Sequence, residues 1–136
     1  MIGAIAGDIF GSVHEAEATK TKHFPLFTPE SHFTDDTVLT AAAAKVLLSG
    51  GDYAATFQRY FRAYPDAGYG QQFKLWCEVR GTAPYNSWGN GSAMRVSPVA
   101  LAFDSLGEVL AEAERSARVT HDHPGGVRGW LIVTYP

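Results

Sequence analysis

The sequence predicts an all-α fold. Three observations carry this: apolar residues recur at helical spacing, cap residues precede those stretches and Gly or Pro follows them, and no alternating strand pattern is sustained. The first candidate, Ile2 to Ser12, sets Gly3, Gly7 and Gly11 four residues apart, which on a helix makes one bare stripe. Each such glycine costs a helix roughly 1 kcal/mol against alanine, so the stripe needs a reason. Close approach of another backbone is one; a glycine-rich loop or a buried strand is the competing reading.

The clearest helix is Thr37 to Leu48, with Thr34 or Asp35 as cap, acids in its first turn and Gly50-Gly51 ending it. Its alanines permit tight packing. Tyr53 to Tyr64 follows, with Asp52 as N-cap, an aromatic face of Tyr53, Phe57, Tyr60, Phe61 and Tyr64, and Pro65 as its stop. Phe73 to Arg80 is a third, short helix that closes near Gly81, and Tyr85 to Gly91 is a Gly- and Asn-rich loop. Another helix begins near Met94 or at Pro98, with Ser97 as cap. Ser105 and Glu108 form a capping box that opens a helix through Val109, Leu110, Ala113 and Ala117 to about Val119. The segment Trp130 to Tyr135 is apolar and β-branched and has no clear assignment.

Composition bounds the function. The 136 residues fit one domain with a real core, and 46% hydrophobic against 18% charged residues is a globular balance. A net charge of -3 gives no basic footprint, so nucleic acid is not the expected partner. Cys77 is the single cysteine, which rules out an intramolecular disulfide and a cysteine-rich zinc site and agrees with a cytoplasmic location. The apolar N-terminus lacks the basic lead of a signal peptide and contains Asp8, and no stretch is apolar for long enough to span a bilayer.

Four stretches bear chemistry. Thr34-Asp35-Asp36-Thr37 offers adjacent carboxylates flanked by hydroxyls, hard oxygens that suit Mg²⁺ or Mn²⁺; the same residues also make an ordinary helix cap. Gly89-Asn90-Gly91-Ser92-Ala93-Met94-Arg95 puts glycines before a helix, where backbone N–H groups can approach a phosphate; it can equally be a tight turn. His121, Asp122 and His123 are potential ligands, hydrogen-bonding groups or structural residues. Glu15, just after the glycine-rich segment, is either a general acid or base or a solvated side chain.

In order and wording these stretches resemble the ADP-ribosylglycohydrolase family, also called the dinitrogenase-reductase-activating glycohydrolase family. The matching segments are GAIAGDIFGS (3–12), Glu15, KTKHFPLF (20–27), FTDDTVLT (33–40), YNSWGNGSAMRVSPVA (85–100) and THDHPGGVRG (120–129). The resemblance implies an orthogonal all-α bundle with a two-metal centre of Mg²⁺ or Mn²⁺. It implies metal ligation by Thr34, Asp35 and Asp36, and catalytic roles for Glu15, Asp35 and Asp36, with Glu15 beside the scissile ribose. Gly89, Asn90, Gly91, Ser92 and Met94 then line the ADP-ribose pocket, with His121 near the ligand. The implied reaction is metal-dependent hydrolysis of the glycosidic bond joining ADP-ribose to a protein or small molecule.

The departures set further expectations. The family is longer and completes its metal sites with a later Asp-Thr-Asp-Thr motif, which does not follow Asp36 here; Gly125 stands where the family often has Glu; and WLIVTYP replaces a small-residue helix. A partial domain over residues 1–136 is therefore expected, from truncation or a shifted reading frame. Its activity alone should be low, with self-association through an exposed face. An inactive ADP-ribose-binding remnant, or half of an enzyme completed by another chain, is the alternative. The Thr34-Asp35-Asp36 trio is expected to converge at a helix start and share a cleft with Glu15.

Overall fold

In the computed structural model, residues 1–15 and 19–129 are described; the segment Trp130 to Tyr135 lies outside them. All regular structure among these residues is helical, with no strand. The helices are α1 (Ile2–Gly11), followed by a 3₁₀ turn (Ser12–His14), α2 (Asp35–Ser49), α3 (Tyr53–Ala63), α4 (Gln71–Glu78), α5 (Gly91–Met94), α6 (Ser97–Ala100), α7 (Leu106–Ala117) and α8 (Pro124–Arg128). None is long and apolar enough to cross a membrane.

Helix α2 is the axis of the fold. Thr34 caps it in extended conformation, its hydroxyl oxygen accepting from the Asp36 amide at 3.3 Å. Val38, Leu39, Ala42, Ala43 and Val46 are buried against the aromatic face of α3 and α4: Tyr53, Phe57, Phe61, Phe73 and Trp76. Alanine is what lets α3 approach so closely, and both Ala42 and Ala43 have no exposed surface. Asp52 caps α3 by accepting from the Ala55 amide at 2.7 Å. Within the aromatic face Tyr64 departs from the helical expectation. It lies past the helix end, exposed, because Pro65 leaves no helical continuation to hold it inward.

A smaller core joins α6 and α7 through Val96, Val99, Val109, Ala113 and Ala117. The serine half of the capping box forms: Ser105 accepts from the Glu108 amide at 3.3 Å, while its hydroxyl, rather than its backbone amide, donates to the Glu108 carboxylate at 2.6 Å. The two cores are tied by Tyr53, whose hydroxyl donates to Glu112 at 2.7 Å.

Helix α1 is helical as one of the two readings held, but its glycine stripe receives no backbone among the described residues. A Cβ at Gly3, Gly7 or Gly11 would meet nothing within 4 Å. No residue of α1 is buried, and Ile2 is 86% exposed. Gly7 and Gly11 instead border a cleft beside a cluster of acids.

Candidate active site

The acid cluster is assembled from three elements. Asp8 comes from the middle of α1, Glu15 from just past the 3₁₀ turn and Asp36 from the first turn of α2; one carboxylate oxygen of each lies within 4.8 Å of the others. They line a cleft of about 260 Å³ together with Gly7, Gly11 and Met94. Glycine at positions 7 and 11 leaves that cleft open where a side chain would fill it.

Asp8 fastens the two helices together. Thr34 donates its hydroxyl to Asp8 Oδ1 at 2.6 Å, and the Thr34 and Thr37 amides donate to Oδ2 at 2.8 and 3.1 Å. A hydroxyl has one proton. The 2.6 Å contact takes it, so the 3.4 Å approach of Thr34 to Asp36 Oδ2 carries no donor. The Thr34 oxygen therefore turns its lone pairs away from Asp8. Sequence reading passed over Asp8 as a site residue. The available signal was a single carboxylate inside the apolar stretch IAGDIFG, which no surface helix needs.

The two adjacent aspartates go to different places. Asp36 joins Asp8 and Glu15. Asp35 lines a neighbouring cleft of about 580 Å³, and among the described residues only Met94 borders both spaces. Burial, then the Asp36 charge, raises the Asp35 carboxyl to about 6. Burial, then Asp8 and Glu15, also raises Asp36. Four carboxylates thus crowd the start of α2, where the helix dipole offsets only part of their repulsion. A divalent cation is the natural complement of such a group.

The donor set fits a hard cation. Among the described residues every ligand atom in the cluster is a carboxylate oxygen, with the Thr34 hydroxyl oxygen beside it. Asp8 is the weakest candidate ligand, because its oxygens already accept three hydrogen bonds.

The larger cleft is walled by Tyr85 and the Trp88-Gly89-Asn90-Gly91 loop, with Met94, Arg95 and His121 deeper. Trp88 is 69% exposed and stacks on His123, ring centroids 3.6 Å apart, so an aromatic face stands at the rim. Ser92 does not line the cleft. It is buried, and its hydroxyl donates to the Gly126 carbonyl at 2.6 Å, holding α5 to α8. Helix α8 is a short turn; His123 caps it by accepting from the Gly125 amide at 3.1 Å.

Gly126 is the closest approach in this region. A Cβ there would press on the Ser87 carbonyl oxygen and sit 2.9 Å from His121 Cδ2. Backbone cannot yield as a side-chain tip can. Gly126→Ala is expected to destabilise the fold by about 1–3 kcal/mol and to push the Ser87–Gly91 loop outward. Thermal unfolding together with tryptophan emission from Trp88 checks this; an unchanged melting temperature would show that α8 packs more loosely.

With the site described, its class follows. The ADP-ribosylglycohydrolase family model matches residues 1–135, and the chain belongs to that family. Among individual relatives it is similar to ADP-ribosylhydrolase ARH3 of Mus musculus, 30% identical across 97% of this chain and 45% of the relative. The Homo sapiens ARH3 is 29% identical over 97% of the chain and 46% of its own length. The Xenopus tropicalis ARH3 is 26% identical with the same coverages, 97% and 46%. The chain thus spans about half the length of these curated relatives.

Proposed function

We propose that this chain carries the ADP-ribose cleft and one acid cluster of a metal-dependent hydrolase acting on the bond between ADP-ribose and a modified protein or small molecule. The observation that carries this reading is the junction at Met94. There the Asp8–Glu15–Asp36 cluster adjoins a cleft large enough for a nucleotide and walled by a glycine-rich loop and an aromatic rim. The relatives are ADP-ribosylhydrolases, and this supplies the substrate class.

Glu15, Asp36 and the Thr34 oxygen would hold Mg²⁺ or Mn²⁺, with Asp35 nearby and Asp8 keeping Thr34 turned toward the ion. When bound, the cation supplies charge that orients ribose hydroxyls and a water. The chain's own residues do the rest. Glu15 exchanges a proton at the reacting ribose. The Gly89–Gly91 loop takes the phosphates, whose approach glycine leaves unhindered. Trp88 offers a stacking face for the base, and Met94 separates the base end from the acid end.

Only two carboxylates of the cluster are not already engaged by α2, which is few for a cation pair. Binding without efficient turnover is therefore the expected behaviour of the 136-residue chain on its own, unless self-association adds ligands. The test is calorimetric titration with ADP-ribose, with and without Mn²⁺, alongside release of ADP-ribose from modified arginine and serine peptides and a measurement of oligomeric state. The expected result is Mn²⁺-enhanced binding that Asp36→Ala removes, with slow release. Absence of ADP-ribose binding at any metal concentration would refute the assignment of the cleft. Rapid metal-dependent release by a monomer would refute the binding-without-turnover reading.

A further inference from the structure

We infer that Arg95 and Thr120 form a buried relay that fixes the tautomer of His121 and, through it, clamps the Gly89 end of the cleft-lining loop.

Arg95 is 1% exposed and no carboxylate is paired with it among the described ion pairs. Its guanidinium lies over the Phe57 ring, 4.5 Å from the centroid, and one nitrogen donates to the Ser116 carbonyl at 3.0 Å and to Thr120 Oγ at 2.8 Å. A cation this deep without a counter-ion is costly to keep, so its hydrogen bonds must serve the fold or the site. Thr120 is fully buried and sits between Arg95 and the His121 ring, with Oγ 2.8 Å from Nδ1. On the far side of the ring, Nε2 is 3.0 Å from the Gly89 carbonyl oxygen.

The donor count has one solution for a neutral ring. The Gly89 carbonyl can only accept, so Nε2 must carry the proton. Nδ1 is then bare and needs a donor. Thr120 supplies it, because Arg95 has only donors to offer and fills the acceptor side of the hydroxyl. The chain of donation runs from Arg95 to Thr120 to His121 to Gly89, in one direction. Burial and the neighbouring guanidinium both lower the imidazole below its usual range, which agrees with a neutral ring. Both ring nitrogens are thereby engaged. His121 acts on a ligand by holding Gly89, and Arg95 is a positioning residue two bonds further back.

The relay is a property of the free chain; only its consequence for ADP-ribose rests on the function proposed above. Nitrogen NMR of the His121 imidazole reads the tautomer directly. The expected result is a protonated Nε2 and a bare Nδ1 in the parent chain. Thr120→Val keeps the shape but removes the hydroxyl. It should leave helix content intact, mix the two tautomers and shift the Gly89 and Asn90 amide signals, and Thr120→Ser should restore all three. ADP-ribose affinity should fall about five-fold in Thr120→Val, the size of one net hydrogen bond, and recover in Thr120→Ser. A protonated Nδ1 in the parent overturns the relay even if no variant folds. So does an unchanged tautomer in Thr120→Val. If the parent binds no ADP-ribose but shows the expected tautomer, the relay stands and the assignment of the cleft falls.

Discussion

Asp8→Ala is expected to loosen the start of α2 and to abolish cation binding together. The carboxylate accepts from one hydroxyl and two amides of α2, at 2.6, 2.8 and 3.1 Å. Bonds to an ionised acceptor are the stronger kind, and their loss leaves two amides of the helix start and the Thr34 proton without a fixed partner. Allowing for water that replaces part of this in a half-open cleft, the loss is about 2 kcal/mol, on the order of 6–8 °C in melting temperature for a domain of this size. The second effect does not scale with the first. Without Asp8 the Thr34 hydroxyl can rotate its proton toward Asp36, 3.4 Å away, and its oxygen no longer faces the cluster. Mn²⁺ titration followed by calorimetry should therefore show loss of binding at temperatures where the variant is still fully folded. Asp8→Asn separates the two: it retains one acceptor oxygen, and should recover part of the stability but little of the cation affinity. An Asp8→Ala chain that binds Mn²⁺ as the parent does would show that Thr34 takes no part in the site.

Asp35→Asn is expected to stabilise the metal-free chain, and only above a definite pH. Burial and Asp36 hold the Asp35 carboxyl at about 6, well above its ordinary 3.8. Between those values the folded chain binds a proton that the unfolded chain has released, so stability rises as pH falls through 6 toward 4 and is lower above 6. Asparagine has no charge to bury. At pH near 7.5 the variant should melt higher than the parent, by an amount corresponding to about 1 kcal/mol once partial exposure is discounted. The advantage should shrink as pH drops through 6 and vanish near 4. Melting curves in chelator across that range check it. Added Mn²⁺ should reverse the order at pH 7.5, since the cation compensates the carboxylates it approaches. A variant no more stable than the parent at pH 7.5 in chelator would mean that Asp35 is better solvated than its surroundings indicate.

How much of this was legible in the sequence differs by element. The capped helices were: Asp52, Ser105 and Thr34 each accept the amide their position requires, because a cap is a contact within four residues and is written locally. The core of α2 against α3 was legible too, since the spacing of Phe57 and Phe61 and the alanine run both report on one face. The glycine stripe of α1 was legible as a pattern, but not its meaning. Spacing says that a face is bare; it cannot say whether a backbone or an open cleft lies opposite.

The site divides the same way. The sequence by itself determined the residue types: hard oxygens at 34–36, an acid at 15, a glycine loop at 89–91 and a histidine at 121. Tertiary structure alone decided which of them meet. Asp35 and Asp36 are neighbours in sequence, yet successive residues of a helix point about a hundred degrees apart, so one serves each cleft. Asp8 reaches Thr34 across 26 residues, and Arg95 reaches Thr120 across 25. Such pairings carry no local signature, because any buried donor can satisfy any acceptor the fold brings within 3 Å of it. What brings them together is the packing of α1 on α2 and of α5 on α7, and that is fixed by the shape of whole helix faces.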